Sequence, residues 1–195
     1  MQKTFIVSAC LLLAACAQIK TPEPVGYSEA ITRLWSSHHL QLQNLTHWTL
    51  NGRIGSRSAF RASSASIQWQ QQGERFNIQL TGPLGQGALS AKGTTDYLEV
   101  HSATTGKIES SNPQQLLDES LGWVFPLASA RNWVTGNPGM ARKDLETFTL
   151  DSKGRLEHLK QGPWEVHYHN YRKTGNIYLP HKITFKDNDT KIIVV

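Results

Sequence analysis

Thiols are nearly absent from this chain of 195 residues, whose two cysteines, Cys10 and Cys16, both lie near its start. The rest of the chain therefore has no means to form a disulfide, a cysteine metal cluster or a thiol nucleophile, and the fold must stand on packing alone. Long apolar runs are missing too. The stretch from Phe5 to Ala15 is 11 residues broken by Ser8, whereas a membrane-spanning helix takes about 20. There is no GxSxG elbow, no HExxH, no P-loop and no GxGxxG, and no nucleophile and base that the sequence itself pairs. Charge of one sign is also modest. The net charge of +5 falls to +4 once Lys3 is removed with the leader, too mild and scattered for a nucleic-acid footprint. A weakly basic surface suits acidic partners or anionic headgroups as well as plain solubility.

What the chain does have begins with Leu13-Ala14-Ala15-Cys16, the form of a bacterial lipoprotein signal ending. Residues 1–15 read as a signal peptide, with small Ala14 and Ala15 admitting a peptidase just before Cys16. The Cys16 thiol can take a diacylglyceryl group and its freed amine an acyl chain, and two or three chains anchor a protein effectively permanently. Residues 16–26, with Pro22 and Pro24, are predicted to be a lipidated N-terminus and extended tether. The remaining 27–195 is long enough for one domain with a real core.

Apolar residues Ile31, Leu34, Trp35, Leu42 and Leu45 recur at helical spacing, predicting an amphipathic helix from Ser28 to Leu45. Beyond it the period drops to two. Trp48, Leu50 and Ile54, then Ala65, Ile67 and Trp69, then Phe76, Ile78 and Leu80 alternate with polar residues, the pattern of half-buried strands. Asn112-Pro113 offers a helix start and Gly122 a left-handed stop, and Pro126 to Gly136 repeats the device. Alternation then resumes through Phe148, Leu150, Leu156, Leu159, Trp164-Val166-Tyr168, Ile183-Phe185 and Lys191 to Val195. The expected fold is mainly β with α: a curved antiparallel sheet of ten or eleven strands, an open half-barrel, covered by a lid of short helices.

Its inward positions are Trp48, Leu50, Ile67, Trp69, Phe76, Ile78, Leu80, Trp164, Val166 and Tyr168. Such an interior either packs solid or leaves a slot for an apolar ligand, and periodicity does not choose between them. In the Gly82-Pro83-Leu84-Gly85-Gln86-Gly87 turn, Leu84 is the one large apolar side chain. It either folds back onto the core or projects as a wedge. His167 and His169 share a strand face and with a carboxylate could hold a metal, although on a wet face solvation suffices to explain them. Asp118 and Glu119 are expected to face water. No metal site and no cofactor are assigned.

Several spaced pieces together resemble the LolB family: Gly52-Arg53-Ile54-Gly55, Trp69-Gln70-Gln71, Gly82-Pro83-Leu84-Gly85, Leu121-Gly122-Trp123 with Pro126-Leu127, Trp133-Val134, Gly154-Arg155-Leu156, Trp164-x-Val166-x-Tyr168 and Leu179-Pro180. The resemblance implies an outer-membrane lipoprotein receptor that accepts lipoproteins from a soluble periplasmic carrier, LolA-like, and inserts them into the inner leaflet of the outer membrane. It also implies a half-barrel whose apolar cavity takes acyl chains, and places the family's membrane-insertion residue on Leu84. Ala17, in place of aspartate after Cys16, implies sorting to the outer membrane. The family continues a few residues past the position of Val195. On this reading the protein is a monomer, faces the periplasm, works without nucleotide hydrolysis and is no enzyme. The alternatives from the residues themselves are a lipid-modifying hydrolase and a purely structural lipoprotein.

Overall fold

The computed structural model describes residues 26–59, 61–85, 87–139 and 145–195. The signal peptide, Cys16 and most of the tether therefore lie outside the described residues. The first helix, α1 (Glu29–Gln43), starts where the Ser28 hydroxyl accepts the Ile31 amide at 3.4 Å, satisfying one of the free amides of the first turn. Its buried face is Trp35, His38, His39 and Leu42, whereas Leu34 is 49% exposed. This corrects the predicted stripe. Two histidines lie where the apolar pattern placed Leu34, and Trp35 stacks on His39 at 4.7 Å and tilts against Phe148 at 5.2 Å. Helix and sheet touch so closely at Gly154 that an added Cβ would lie 2.6 Å from Leu34 Cβ and the Trp35 amide nitrogen.

Six strands follow: β1 (His47–Arg57), β2 (Ala62–Gln72), β3 (Arg75–Thr81), β4 (Leu89–Gly93), β5 (Leu98–Ser102) and β6 (Gly106–Ser110). Short turns join them into a meander, each strand antiparallel to the last. Helices α2 (Pro113–Leu121) and α3 (Leu127–Trp133) interrupt the strands. The Asn112 side chain caps α2 at the amide of Gln115, and Gly122 ends it at φ 70°, a left-handed conformation that costs glycine little.

Seven strands complete the chain: β7 (Leu145–Leu150), β8 (Leu156–Gln161), β9 (Trp164–His169), β10 (Arg172–Thr174), β11 (Ile177–Leu179), β12 (Lys182–Lys186) and β13 (Lys191–Val194). Eleven strands form one sheet in the order β6-β5-β4-β3-β2-β1-β13-β12-β9-β8-β7, while β10 and β11 make a separate two-stranded ribbon. The decisive junction is β1 with β13, which pairs Ile54 with Val194 and Ser56 with Ile192 and so welds the first meander to the last. The Arg53 amide donates to the Val195 carbonyl at 2.7 Å, and at Gly52 a Cβ would lie 2.2 Å from that oxygen. Glycine is required there. Leu156 and Leu159, three apart, both face inward because the β7–β8 register slips between Thr149 and Leu150.

The core runs along one face of the sheet and under α2 and α3. Trp133 of α3 stacks on Phe185 at 6.1 Å and satisfies its indole N–H at Gln161 Oε1, 3.0 Å away. Asp118 departs from expectation. Rather than facing water, its carboxylate accepts the Phe125 amide at 3.0 Å and the Gln114 side-chain amide at 2.7 Å. Gln114 also donates to the Phe125 carbonyl at 2.7 Å and accepts the Leu127 amide at 3.3 Å. The pair braces the turn from α2 to α3. Glu119 is exposed as expected and accepts from Gln115 along its own helix.

Candidate functional site: the apolar face and the Leu84 turn

Register turns the alternating residues of separate strands into rows. Leu50 of β1 lies opposite Trp69 of β2, which lies opposite Ile78 of β3, then Ala91 of β4 and Val100 of β5. The next row holds Ile67, Leu80 and Leu89, and the one before it Phe76 between Gln71 and Gly93. These side chains share one face because a strand repeats every two residues, so antiparallel partners in register point the same way. Trp69 is fully buried, tilted against Trp48 at 5.2 Å and edge-on to Phe125 at 5.9 Å. Its indole N–H donates to Gln71 at 3.0 Å, and the Gln71 amide donates to the Gly73 carbonyl at 2.8 Å, so the polar pair within the face is satisfied.

The ten inward residues expected from the sequence do share the inner face, but they fall into four neighbourhoods. Ile67, Ile78 and Leu80 line a narrow apolar cleft under α2, closed by Leu117, Leu121, Trp123 and Phe125, with about 10 Å³ of free space. Trp69 and Phe76 border a cavity of about 60 Å³ shared with Leu127 and Arg131. Trp48 and Leu50, only half-buried, line a larger one of about 280 Å³ toward Leu179, Ile183 and Val194. Trp164, Val166 and Tyr168 are buried on the other half of the sheet, where Val166 pairs with Phe185 and Tyr168 with Ile183. Sequence patterning missed the covering residues, Trp123 and Phe125. They sit in a non-helical link, and their edge-on contact at 5.8 Å depends on the brace from Gln114 and Asp118.

The cleft under α2 opens toward the Leu84 turn. A second space of about 240 Å³ shares Ile54, Leu80, Leu89, Leu121 and Trp123 with it and is rimmed by Gly82, Gly87 and Ser120. In the turn the Gly85 amide donates to the Gly82 carbonyl at 3.1 Å, and Leu84 is 97% exposed at φ 60°, ψ 23°. A leucine in the left-handed region is strained by about 1–2 kcal/mol. Of the two readings of Leu84, folded back or projecting, the structure shows the second. Val124, next to Trp123 in the chain, is 47% exposed.

Under α1, His38 and His39 form a second buried polar group. Burial, with Arg155 nearby, holds His38 well below its ordinary value, at about 4, and burial lowers His39 as well. Both are uncharged at neutral pH.

The outer-membrane lipoprotein LolB family model matches residues 46–195, which takes in every strand and both central helices. The chain belongs to the LolB family. LolB of Pseudomonas fluorescens is 34% identical over 192 residues, covering 98% of this chain and 92% of that protein. LolB of Stutzerimonas stutzeri is 33% identical over 95% of this chain and 88% of its own, and that of Pseudomonas aeruginosa 32% over 96% and 90%. Among solved structures, a LolA superfamily protein from Nitrosomonas europaea superposes with a TM-score of 0.49 at 11% identity, over 86% of this chain and 91% of that one. As a LolB-family protein the chain is an outer-membrane, lipid-anchored, periplasm-facing receptor that takes lipoproteins from a soluble LolA-like carrier. It is not an enzyme, so the hydrolase reading falls, and the receptor role replaces the purely structural one.

Proposed function

We propose that the inner face is the acyl-chain site of this receptor, that the sheet works as a curved, open half-barrel, and that the chains enter and leave through the opening beside Leu84. Cys16 is the lipid anchor and residues 16–26 the tether in this reading, with 27–195 as a single receptor domain. The observation that carries it is the continuity of the apolar cleft under α2 with the space rimmed by Gly82 and Gly87.

Energetics explain why such a path must stay dry. At about 0.8 kcal/mol per methylene, a 16-carbon chain exposed to water costs about 12 kcal/mol, so chains have to pass from one apolar site to the next. Direction then comes from affinity: carrier, receptor and bilayer must bind progressively more tightly. As a chain enters, the α2 lid swings outward, because the cleft beneath it holds only about 10 Å³ of free space. Gln114 and Asp118 bond within α2 and to Phe125 and Leu127, which lets α2 and the Trp123–Phe125 link move as one piece.

The test is binding of a fluorescent fatty-acid analogue to Ile78→Asn, which puts an unpaired amide in the dry cleft at a cost of about 1–3 kcal/mol. Binding should weaken by about tenfold or more. Thermal unfolding recorded alongside separates lost binding from lost folding. A folded Ile78→Asn protein with undiminished probe binding overturns the assignment.

A further inference from the structure

On the face of the sheet turned away from the apolar interior, we propose that His158, Glu165 and His167 form a binding site for a divalent transition metal such as Zn²⁺. The sequence shows one pair of histidines on β9, His167 and His169. Register adds the rest. His158 of β8 stands directly opposite His167, the two rings 4.6 Å apart between centroids, and Glu165 lies two residues before His167 on the same face. One ligand atom from each of the three lies within 4.8 Å of the other two, and all three residues are half-buried.

The platform is rigid. Strands β8 and β9 are joined by a tight turn between paired Gln161 and Trp164, and behind the cluster Leu159 and Val166 are wholly buried. Two imidazoles this close repel when both are protonated, whereas a shared metal uses both lone pairs at once. Two nitrogens and a carboxylate oxygen are a donor set for Zn²⁺, Ni²⁺ or Cu²⁺ and not for the oxygen-seeking Mg²⁺ or Ca²⁺. Three protein ligands leave a fourth position for solvent or a ligand from outside the chain. Glu165 stands in register with Lys160 of β8 and Lys186 of β12, cationic residues on the same face of the sheet, so the two histidines set the affinity. The site lies across the sheet from the acyl-chain face and is independent of its assignment.

The experiment is calorimetric titration of ZnCl₂ into the full chain, without a histidine tag, in detergent micelles at pH 7.5. Co²⁺ absorption provides a second readout of the donor set. One ion should bind per chain, and His158→Ala or His167→Ala should each weaken binding more than about tenfold, the loss that changes even beyond the direct ligands produce. Glu165→Gln should weaken it less. His101→Ala, an exposed histidine on β5, should leave it unchanged. Where an alanine variant unfolds at a lower temperature in the absence of metal, the glutamine variant at the same position replaces it. Absence of binding up to millimolar Zn²⁺, or undiminished binding in the His158 and His167 variants, overturns the proposal.

Discussion

Substitution of Leu84 is expected to separate stability from function. Leu84 is 97% exposed and held at φ 60°, so its side chain contributes almost nothing to the core while its backbone stores strain. Leu84→Gly removes a left-handed penalty of about 1–2 kcal/mol and adds about 0.5–1 kcal/mol of chain entropy in the unfolded state. The net expectation is unchanged or slightly raised stability, by up to about 1.5 kcal/mol. Delivery should move the other way. A leucine entering the acyl region gains about 2 kcal/mol, so its loss lowers membrane engagement by about 30-fold at 1.4 kcal/mol per tenfold. Leu84→Glu should go further, because a carboxylate there must also be desolvated. The assay has two steps: co-precipitation of a radiolabelled client from its carrier complex measures acceptance, and flotation of the client with liposomes on a sucrose gradient measures delivery. Acceptance should survive and delivery fail in both variants. Loss of both steps together would assign Leu84 to the binding site, and loss of neither would make it an ordinary turn residue.

Acid should loosen α1. The folded pKa of His38 lies near 4, below its unfolded value of 6.5, so the unfolded chain binds the extra proton first and stability falls as pH drops from about 6.5 toward 4. His38→Gln should flatten the dependence of melting temperature on pH across that window; an unchanged slope would remove His38 as its source. Gly154→Ala should destabilise the fold by about 1–3 kcal/mol, since it combines a left-handed residue at φ 67° with a Cβ 2.6 Å from Leu34 and the Trp35 amide nitrogen. Chemical denaturation checks it, and a midpoint equal to that of the unchanged protein would refute the close packing of α1 on the β7–β8 turn.

The sequence by itself determined what depends on neighbours along the chain. Alternation at Ile67-x-Trp69 and Phe76-x-Ile78-x-Leu80 marked the inner face because side-chain direction in a strand is a local property of the backbone. Asn112-Pro113 and Gly122 delimited α2 because capping is decided within one turn of helix. The glycines around Leu84 marked a turn, and the spaced pieces from Gly52 to Pro180 carried the family resemblance that the matched residues 46–195 bear out.

Only the tertiary structure decided the rest, since it depends on residues distant in sequence. Nothing in β1 or β13 alone says that Ile54 meets Val194, yet that pairing makes one sheet of eleven strands from two meanders. Helical spacing counted Leu34 toward the buried stripe, but with Gly154 packed against Leu34 and Trp35 the buried face of α1 holds His38 and His39, whose rings are apolar enough to pack once uncharged. Asp118, polar on its own helix, became a brace because Phe125 comes back to it seven residues later. The cluster of His158, Glu165 and His167 exists only through the β8–β9 register, and Leu84 projects only because its turn fixes a backbone angle that sequence patterning does not specify.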